Sequence, residues 1–487
     1  MEQPILLRAA WLWDGTDTEP RADGRVLVRD GRIAALGEAA TAAAGARVID
    51  LGGAVLMPGL VCAHQHGRGL SQLLLGYPDD RLEAWSNRRR KRGAPASYPL
   101  VRLAAARMLR HGITGCIHAN WSYGGPQAEE LPEVMRAYAD AGIRAAICVG
   151  VADRGAMVLP EEDLQPFLAG LPTALRALAG QVSRHPFIAD AAEAAALLDA
   201  LAGASGPRIS WLLGPAAPHW VSDGLMAELA AAAADRRIGL HYHLLESPVQ
   251  RDACARLYPE GTVRRLLTLG ALGPRHSAAH GVFLSPDDMA LLAESGTTLV
   301  LNPGSNMRLG NGPPQVAALM RVGVPLALGG DDCELADDRD PWGELRLVSA
   351  LSRGGDQGSP PGLSPAGLLR IATSAGRRLL GQPGQAVLAV GEPADVMALD
   401  PGPRGDADLP LSALLTGRAR GADTRLTMVA GEVLWHAGER RHDLPALEQA
   451  ALEAAQSAAS HATRDAAEVE ALGRELLRFY AGRQLSC

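Results

Sequence analysis

The sequence predicts an α/β fold: a (β/α)₈ barrel, a small β-sandwich formed by both chain ends, and a C-terminal helical tail. Three observations predict it. The middle of the chain alternates strand-like and helix-like segments, polar residues recur where the strands should stop, and the β-rich texture of the first 56 residues returns near residue 384.

At the start, short apolar runs such as "GRVLVRDGRIAALG" and "ARVIDLGG" are broken by Asp30-Gly31 and Gly52-Gly53, both turn signals. "AVLAVGEPADVMALD" and "LTMVAGEVLWHAGE" repeat the pattern, so residues 1–56 and 383–442 read as two parts of one sandwich. Across residues 57–382, candidate strands end at His64/His66, His118, Val149, His219, Glu246, His280, Asn302 and Asp331. Amphipathic helices such as "PLVRLAAARMLR", "LPEVMRAYADA" and "DGLMAELAAAAADR" fit between them. Eight β-then-α units in succession read as a TIM-like barrel, whose active sites lie at the carboxyl ends of the strands. The alanine-rich amphipathic tail, 443–487, should form helix that packs on its own subunit, the alternative being a second subunit.

The chain has 487 residues, 47% hydrophobic and 21% charged, ordinary values for a globular protein. A net charge of −7 argues against a general nucleic-acid or anionic-membrane binder. No run reaches the apolar length of a membrane span, and the first residues lack a secretory pattern. Six scattered cysteines without a C-x-x-C pair suit a reducing compartment, so a cytoplasmic protein is expected. Lys91 is the only lysine, which reads as base bias. The basic run "NRRRKRG" (87–93), with Arg88 through Arg92, reads as a solvated loop; the alternative is a grip on an anionic substrate group or closure of the site.

"MPGLVCAHQH" ends an apolar strand on His64 and His66, which leave the same face because they stand at i and i+2. An H-x-H pair alone is a weak signal. "HYHLLES" adds His241, His243 and Glu246, "HSAAHG" adds His280, and "LALGGDD" adds Asp331 and Asp332. Imidazole–carboxylate metal centres need three or four ligands converging from different elements, with one position open to water. Such residues at four strand ends favour a metal site over satisfied histidines at a barrel rim.

On these motifs, with "AAHGVFL", "NPGSNMRLGNG" and "GEPADVMALD" following in order, the chain resembles the amidohydrolase superfamily in its cytosine-deaminase-like and triazine-hydrolase-like branch, over nearly its whole length. The resemblance implies the barrel with its two-ended sandwich, a divalent metal, and hydrolysis at a carbon bearing nitrogen. It implies His64, His66, His243 and Asp331 as metal ligands and leaves His241 a structural residue. Glu246 would shuttle protons, Asp331 would take the proton of the attacking water, and His280 would hydrogen-bond the new oxygen. Binuclear members use a lysine on the fourth strand; "ISWLLGPAAPH" has none, so one ion per chain is implied, Zn²⁺ first and Fe²⁺ as the alternative.

Substrate-contact candidates are His219, Asp332, Asn302, Trp85, His118 and Asn120, with Asp332 suited to accept from an N–H of an aminated ring. Asp337, Asp338 and Asp340 read as a solvated acidic loop, and scarce Phe and Tyr assemble no aromatic pocket. The implied reaction is deamination of a small N-heterocycle (pyrimidine, purine, pterin or cyclic amidine) with release of ammonia. One alternative expels alkylamine or chloride from a triazine-like ring, or opens a cyclic amide, at the same site. Another is a non-catalytic metal- or ligand-binding barrel. The family also implies a homodimer or larger assembly.

Overall fold

The computed structural model describes residues 3–483 except 17, 42–44, 90–94, 122–124, 156, 182–186, 355–361, 383, 406–407, 438–440 and 463. The chain opens with β1 (Ile5–Leu12), β2 (Arg21–Arg29), β3 (Arg32–Leu36), β4 (Arg47–Asp50) and β5 (Val55–Pro58). There follow β6 (Leu60–Gln65), β7 (Ile113–His118), β8 (Arg144–Val151), β9 (Ile209–Pro215), β10 (His241–Leu244), β11 (Ser277–His280), β12 (Thr298–Leu301) and β13 (Leu326–Leu328). The C-terminal part returns to strand with β14 (Val396–Leu399), β15 (Thr424–Val429) and β16 (Glu432–His436).

β1–β5 and β14–β16 form one mixed sheet in the order β16-β15-β14-β5-β1-β2-β3, with β4 also paired to β1. β5 pairs antiparallel with β14, so the two ends of the chain meet. The intervening strands form two parallel sheets, β6-β7-β8-β9 and β10-β11-β12-β13, with helices between successive strands. A parallel bridge from Leu213 to Leu240 joins β9 to the approach of β10. On the far side, the amides of Gly330 and Asp331, just past β13, donate to the His64 carbonyl of β6 at 3.1 and 2.9 Å. Val61, Ala63, Ile117, Ala146, Leu212, Val300 and Ala327 pack into one cluster, plugged by Ala375, Leu379 and Leu380. The two parallel sheets therefore face a shared interior whose alanines leave room for that plug.

The helix expected from "DGLMAELAAAAADR" spans Asp223–Arg236 in full. Ser222 accepts the Leu225 amide at its start, and Arg237 turns left-handed (φ 57°) at its end. The run "MPGLVCAHQH" is not one strand. Met57 and Pro58 belong to the mixed sheet, and the change of sheet falls at Gly59, slightly beyond the expected division at 56/57. A Cβ on Gly59 would lie 2.1 Å from the Thr114 side chain, so only glycine lets the chain cross there.

Beside this crossing, Arg144 of β8 pairs with Asp395 through Nε (2.7 Å) and Nη2 (3.1 Å), both side chains buried. Asp395 Oδ1 also accepts the Ala430 amide at 2.8 Å. Removing one partner of a buried pair strands the other charge. Asp395→Ala is expected to cost about 3–5 kcal/mol in urea denaturation; a loss under about 1 kcal/mol, the worth of an exposed pair, would contradict this.

The tail forms two helices, Leu444–Ser460 and Ala466–Ala481, which pack on the body of the same chain as expected. Among the described residues, no helix is long and apolar enough to cross a membrane.

Candidate active site

His64 and His66 leave the end of β6 on the same face, their rings 5.0 Å apart. His243 of β10 stacks on His66 at 5.4 Å with an interplanar angle of 6°, and His280, at the end of β11, lies 5.3 Å from His64. Asp331 Oδ1 stands 3.1 Å from His66 Nε2 and 3.5 Å from His64 Nε2. Donor atoms of His64, His66 and His243 all lie within 4.8 Å of one another, as do those of His64, His280 and Asp331. All five residues are buried.

The outward ring nitrogens show that this cluster suits a cation. His66 Nδ1 bonds the Ala119 carbonyl (2.6 Å) and His243 Nδ1 the Ala216 carbonyl (2.8 Å). A carbonyl only accepts, so each Nδ1 carries the hydrogen and each Nε2 turns a lone pair inward. His64 Nδ1 meets His241 Nε2 at 2.8 Å, while His241 Nδ1 meets Ser277 Oγ at 2.7 Å. His64 Nε2 is buried with no hydrogen-bond partner among the described residues. Burial pushes His64 down to about 4 and His243 well below its usual range, so both rings stay neutral near pH 7. Neutral imidazoles with convergent lone pairs and a carboxylate are the donor set of Zn²⁺ and related divalent ions. His241 thus does more than fill space: it fixes the ring of His64.

Three backbones bend sharply to deliver these groups. His280 (φ 76°), Asp331 (φ 53°) and Leu245 (φ 45°), next to Glu246, are all left-handed, a costly conformation that clusters at functional sites. Glu246 Oε1 accepts from Asn311 Nδ2 at 3.1 Å, its amide donates to Gln250 Oε1 at 3.0 Å, and Oε2 lies 3.8 Å from His280 Nε2. Burial, reinforced by the negative charges of Asp331 and Glu83, raises the Glu246 carboxyl well above its usual range. Ser305 Oγ donates to Asp331 Oδ2, and Asn306 Oδ1 faces His280 Nδ1 at 2.8 Å. Ser305, Asn306 and Asn311 all lie in the "NPGSNMRLGNG" stretch, of which the sequence reading had singled out only Asn302.

A half-open cleft lies before these groups. Glu246, His280 and Asp331 line its floor, and Trp85, Trp121, Trp220 and Arg89 its walls. Trp121 and Trp220 meet edge-on at 5.2 Å. Scarce Phe and Tyr had given no aromatic pocket from sequence; the walls are tryptophan, and Trp121 and Trp220 each follow directly on a candidate already singled out, Asn120 and His219.

Of the substrate candidates, Trp85 and Asp332 reach the cleft. Asp332 Oδ2 accepts from Arg68 (2.8 Å) and Arg89 (3.4 Å), while its buried Oδ1 has no hydrogen-bond partner among the described residues. Burial would raise this carboxyl, but the positive groups around it, Arg68 foremost and Arg89 with it, together outweigh burial and hold it below the usual range. The other four stand elsewhere. β9 stops at Pro215, so His219 falls in a loop behind Trp220, their rings 4.3 Å apart. His118 bonds Tyr138 Oη (2.9 Å) and Asn120 Oδ1 (3.3 Å) beside a smaller adjoining cavity. Asn302 is fully buried against Gly329, whose hypothetical Cβ would lie 2.2 Å from its Oδ1.

In the basic run, Arg88 pairs with Asp80 and Glu470 and Arg89 turns into the cleft, neither being a solvated loop residue; Arg90, Lys91 and Arg92 lie outside the described residues. In the acidic loop, Asp338 is exposed as expected, Asp337 meets Ser71 and Arg308, and Asp340 caps the helix Pro341–Ser352.

Residues 55–434 match the amidohydrolase family. A 5-methylthioadenosine/S-adenosylhomocysteine deaminase of Nitratidesulfovibrio vulgaris is 32% identical over 87% of this chain and 90% of its own. A 5'-deoxyadenosine deaminase of Methanosarcina mazei is 29% identical over 84% and 88%. Among solved structures, a zinc-bound adenosine deaminase of Xanthomonas campestris superposes with a TM-score of 0.74 at 24% identity, covering 94% of this chain and 98% of that one. A zinc complex of atrazine chlorohydrolase from Arthrobacter aurescens TC1 superposes at 0.76 with 22% identity, over 93% and 100%. By the extent of the family match and the likeness to these deaminases, the chain belongs to the amidohydrolase family.

Proposed function

We propose that the substrate is a purine nucleoside with a 6-amino group, deaminated in a closed (β/α)₈ barrel at a single divalent ion, Zn²⁺ first and Fe²⁺ second, held by His64, His66, His243 and Asp331. The protein is a metal-dependent hydrolase that releases ammonia from an aminated N-heterocycle, the activity of its family relatives. The observation that carries the finer reading is the pairing of the inward-facing imidazoles with a buried carboxyl, Glu246, whose pKa burial raises. The nucleoside class rests on relatives that act on methylthioadenosine and deoxyadenosine. Trp85, Trp121 and Trp220 supply apolar walls suited to a ring system.

When bound, the ion supplies Lewis-acid chemistry that brings the pKa of water toward about 7. Glu246 holds its proton over the cleft floor, positioned by Asn311 and Gln250, and gives it to the ring nitrogen next to the reacting carbon. Asp331, with Ser305 on its second oxygen, takes a proton from the attacking water. For His280 the proposed role differs from the expected one. Asn306 Oδ1 accepts its Nδ1 hydrogen, so the neutral ring turns Nε2 to the cleft as an acceptor, suited to orient the water's O–H. Asp332 Oδ1 is free to accept a substrate N–H.

Ammonia release from the zinc-loaded protein tests the reading. Adenosine, 5'-deoxyadenosine or 5'-methylthioadenosine is expected to release ammonia faster than guanine, cytosine or aminotriazines; no release from any of the three nucleosides overturns the nucleoside assignment. His241→Ala should lower metal affinity about 10–100-fold, the usual cost of losing a ligand's hydrogen-bond support. Chelator competition measures it, and an unchanged affinity would remove His241 from the site.

A further inference from the structure

We propose that the tail helix Ala466–Ala481 sets the position of the cleft wall formed by the helix Leu82–Arg88, and through it how tightly substrate is held. The proposal rests on reading the cleft as the substrate site. The wall helix has seven residues, too few to be stable by itself. One face puts Leu82, Trp85 and Ser86 into the cleft.

Its other face lies on the tail helix. Buried Asn87 donates from Nδ2 to the Val469 carbonyl at 2.9 Å, and Arg88 Nε pairs with Glu470 at 2.9 Å. A Cβ on Gly473 would stand 3.4 Å from Asn87 Nδ2 and 3.9 Å from the Ala84 carbonyl, so the two helices already touch at a residue without a side chain. The tail helix is itself firmly seated. Val469, Leu472, Leu476 and Tyr480 are buried in a cluster with Val249 and Ala253 of the helix that follows Glu246. Tyr480 Oη accepts the Leu159 amide at 2.9 Å, and Ser247 Oγ bonds Glu83 Oε1 at 2.6 Å, tying the wall to the residue after Glu246. Among the described residues, the hydrogen bonds that hold Glu246 and the ring nitrogens come from Asn311, Gln250, Ala119 and Ala216, none of them on the tail. Loosening the tail should therefore weaken substrate binding and leave metal binding and chemistry largely intact.

Full-length Gly473→Leu drives side-chain atoms into Asn87 and Ala84, whereas Gly473→Ala adds only a Cβ at ordinary contact distance. With zinc bound, Gly473→Leu is expected to raise KM for 5'-methylthioadenosine about tenfold with kcat within about threefold and one zinc per chain retained. Amide exchange across residues 82–88 should quicken by about tenfold or more. Asn87→Ala, which removes the hydrogen bond without adding bulk, should move KM and exchange the same way, and Gly473→Ala should match wild type. Unchanged KM and exchange in Gly473→Leu and Asn87→Ala overturn the proposal, as does a fall in kcat with KM constant. If Gly473→Leu unfolds, Asn87→Ala decides. If wild type releases no ammonia from the nucleoside, the substrate assignment has failed, and exchange across 82–88 decides the role of the tail by itself.

Discussion

Asp331→Ala is expected to lose most of its bound metal and about 10³-fold or more of kcat, at the upper part of the range for deleting a catalytic acid or base. Two functions should vanish together, because one carboxylate faces His64 and His66 and is also the group proposed to take the proton of water. The left-handed backbone at Asp331, held by the two amide bonds to the His64 carbonyl, ties that carboxylate to the first histidine strand. Metal analysis after dialysis, beside an ammonia assay, reads both losses. A variant that keeps one ion per chain and wild-type turnover would remove Asp331 from the centre, and two ions per wild-type chain would overturn the mononuclear reading.

Glu246→Gln should lower kcat by about 10²–10⁴-fold with metal content unchanged. The pH dependence has a definite sign. Burial first, and then the charges of Asp331 and Glu83, raise the pKa of the carboxyl, and the protonated form is the one that donates. Activity is therefore present below that raised pKa and falls as pH rises through it. Glutamine does not titrate, so the residual rate of the variant should lack this alkaline limb. Retention of the same limb in Glu246→Gln would assign it to another group.

That His64 and His66 share one face was legible in the sequence because an i, i+2 pair at the end of an apolar strand has only one geometric reading. The helix 223–236 was legible for a similar reason, its period and both ends being local. What was not legible depends on partners far away in the chain. His241 looked idle from its spacing to His243, yet its partner is His64, 177 residues distant. Asn302 and Asp332 both follow strands, but one is sealed by Gly329 and the other opens on the cleft, a difference set by packing rather than pattern. His219 failed as a wall residue because the strand stops four positions earlier and its neighbour Trp220 takes the exposed place.

The pairing of β5 with β14 has a consequence for how the protein is made. The partners lie about 340 residues apart, so at about 5–20 residues per second a ribosome needs roughly 20–70 s between them. During that interval "VLMP" has β1 on one side and an open apolar edge on the other, with Gly59 leading straight into the first histidine strand. An open edge of this kind recruits strands from other chains. Yield of active protein should therefore fall with expression rate and recover with chaperone capacity, even when the finished protein is very stable.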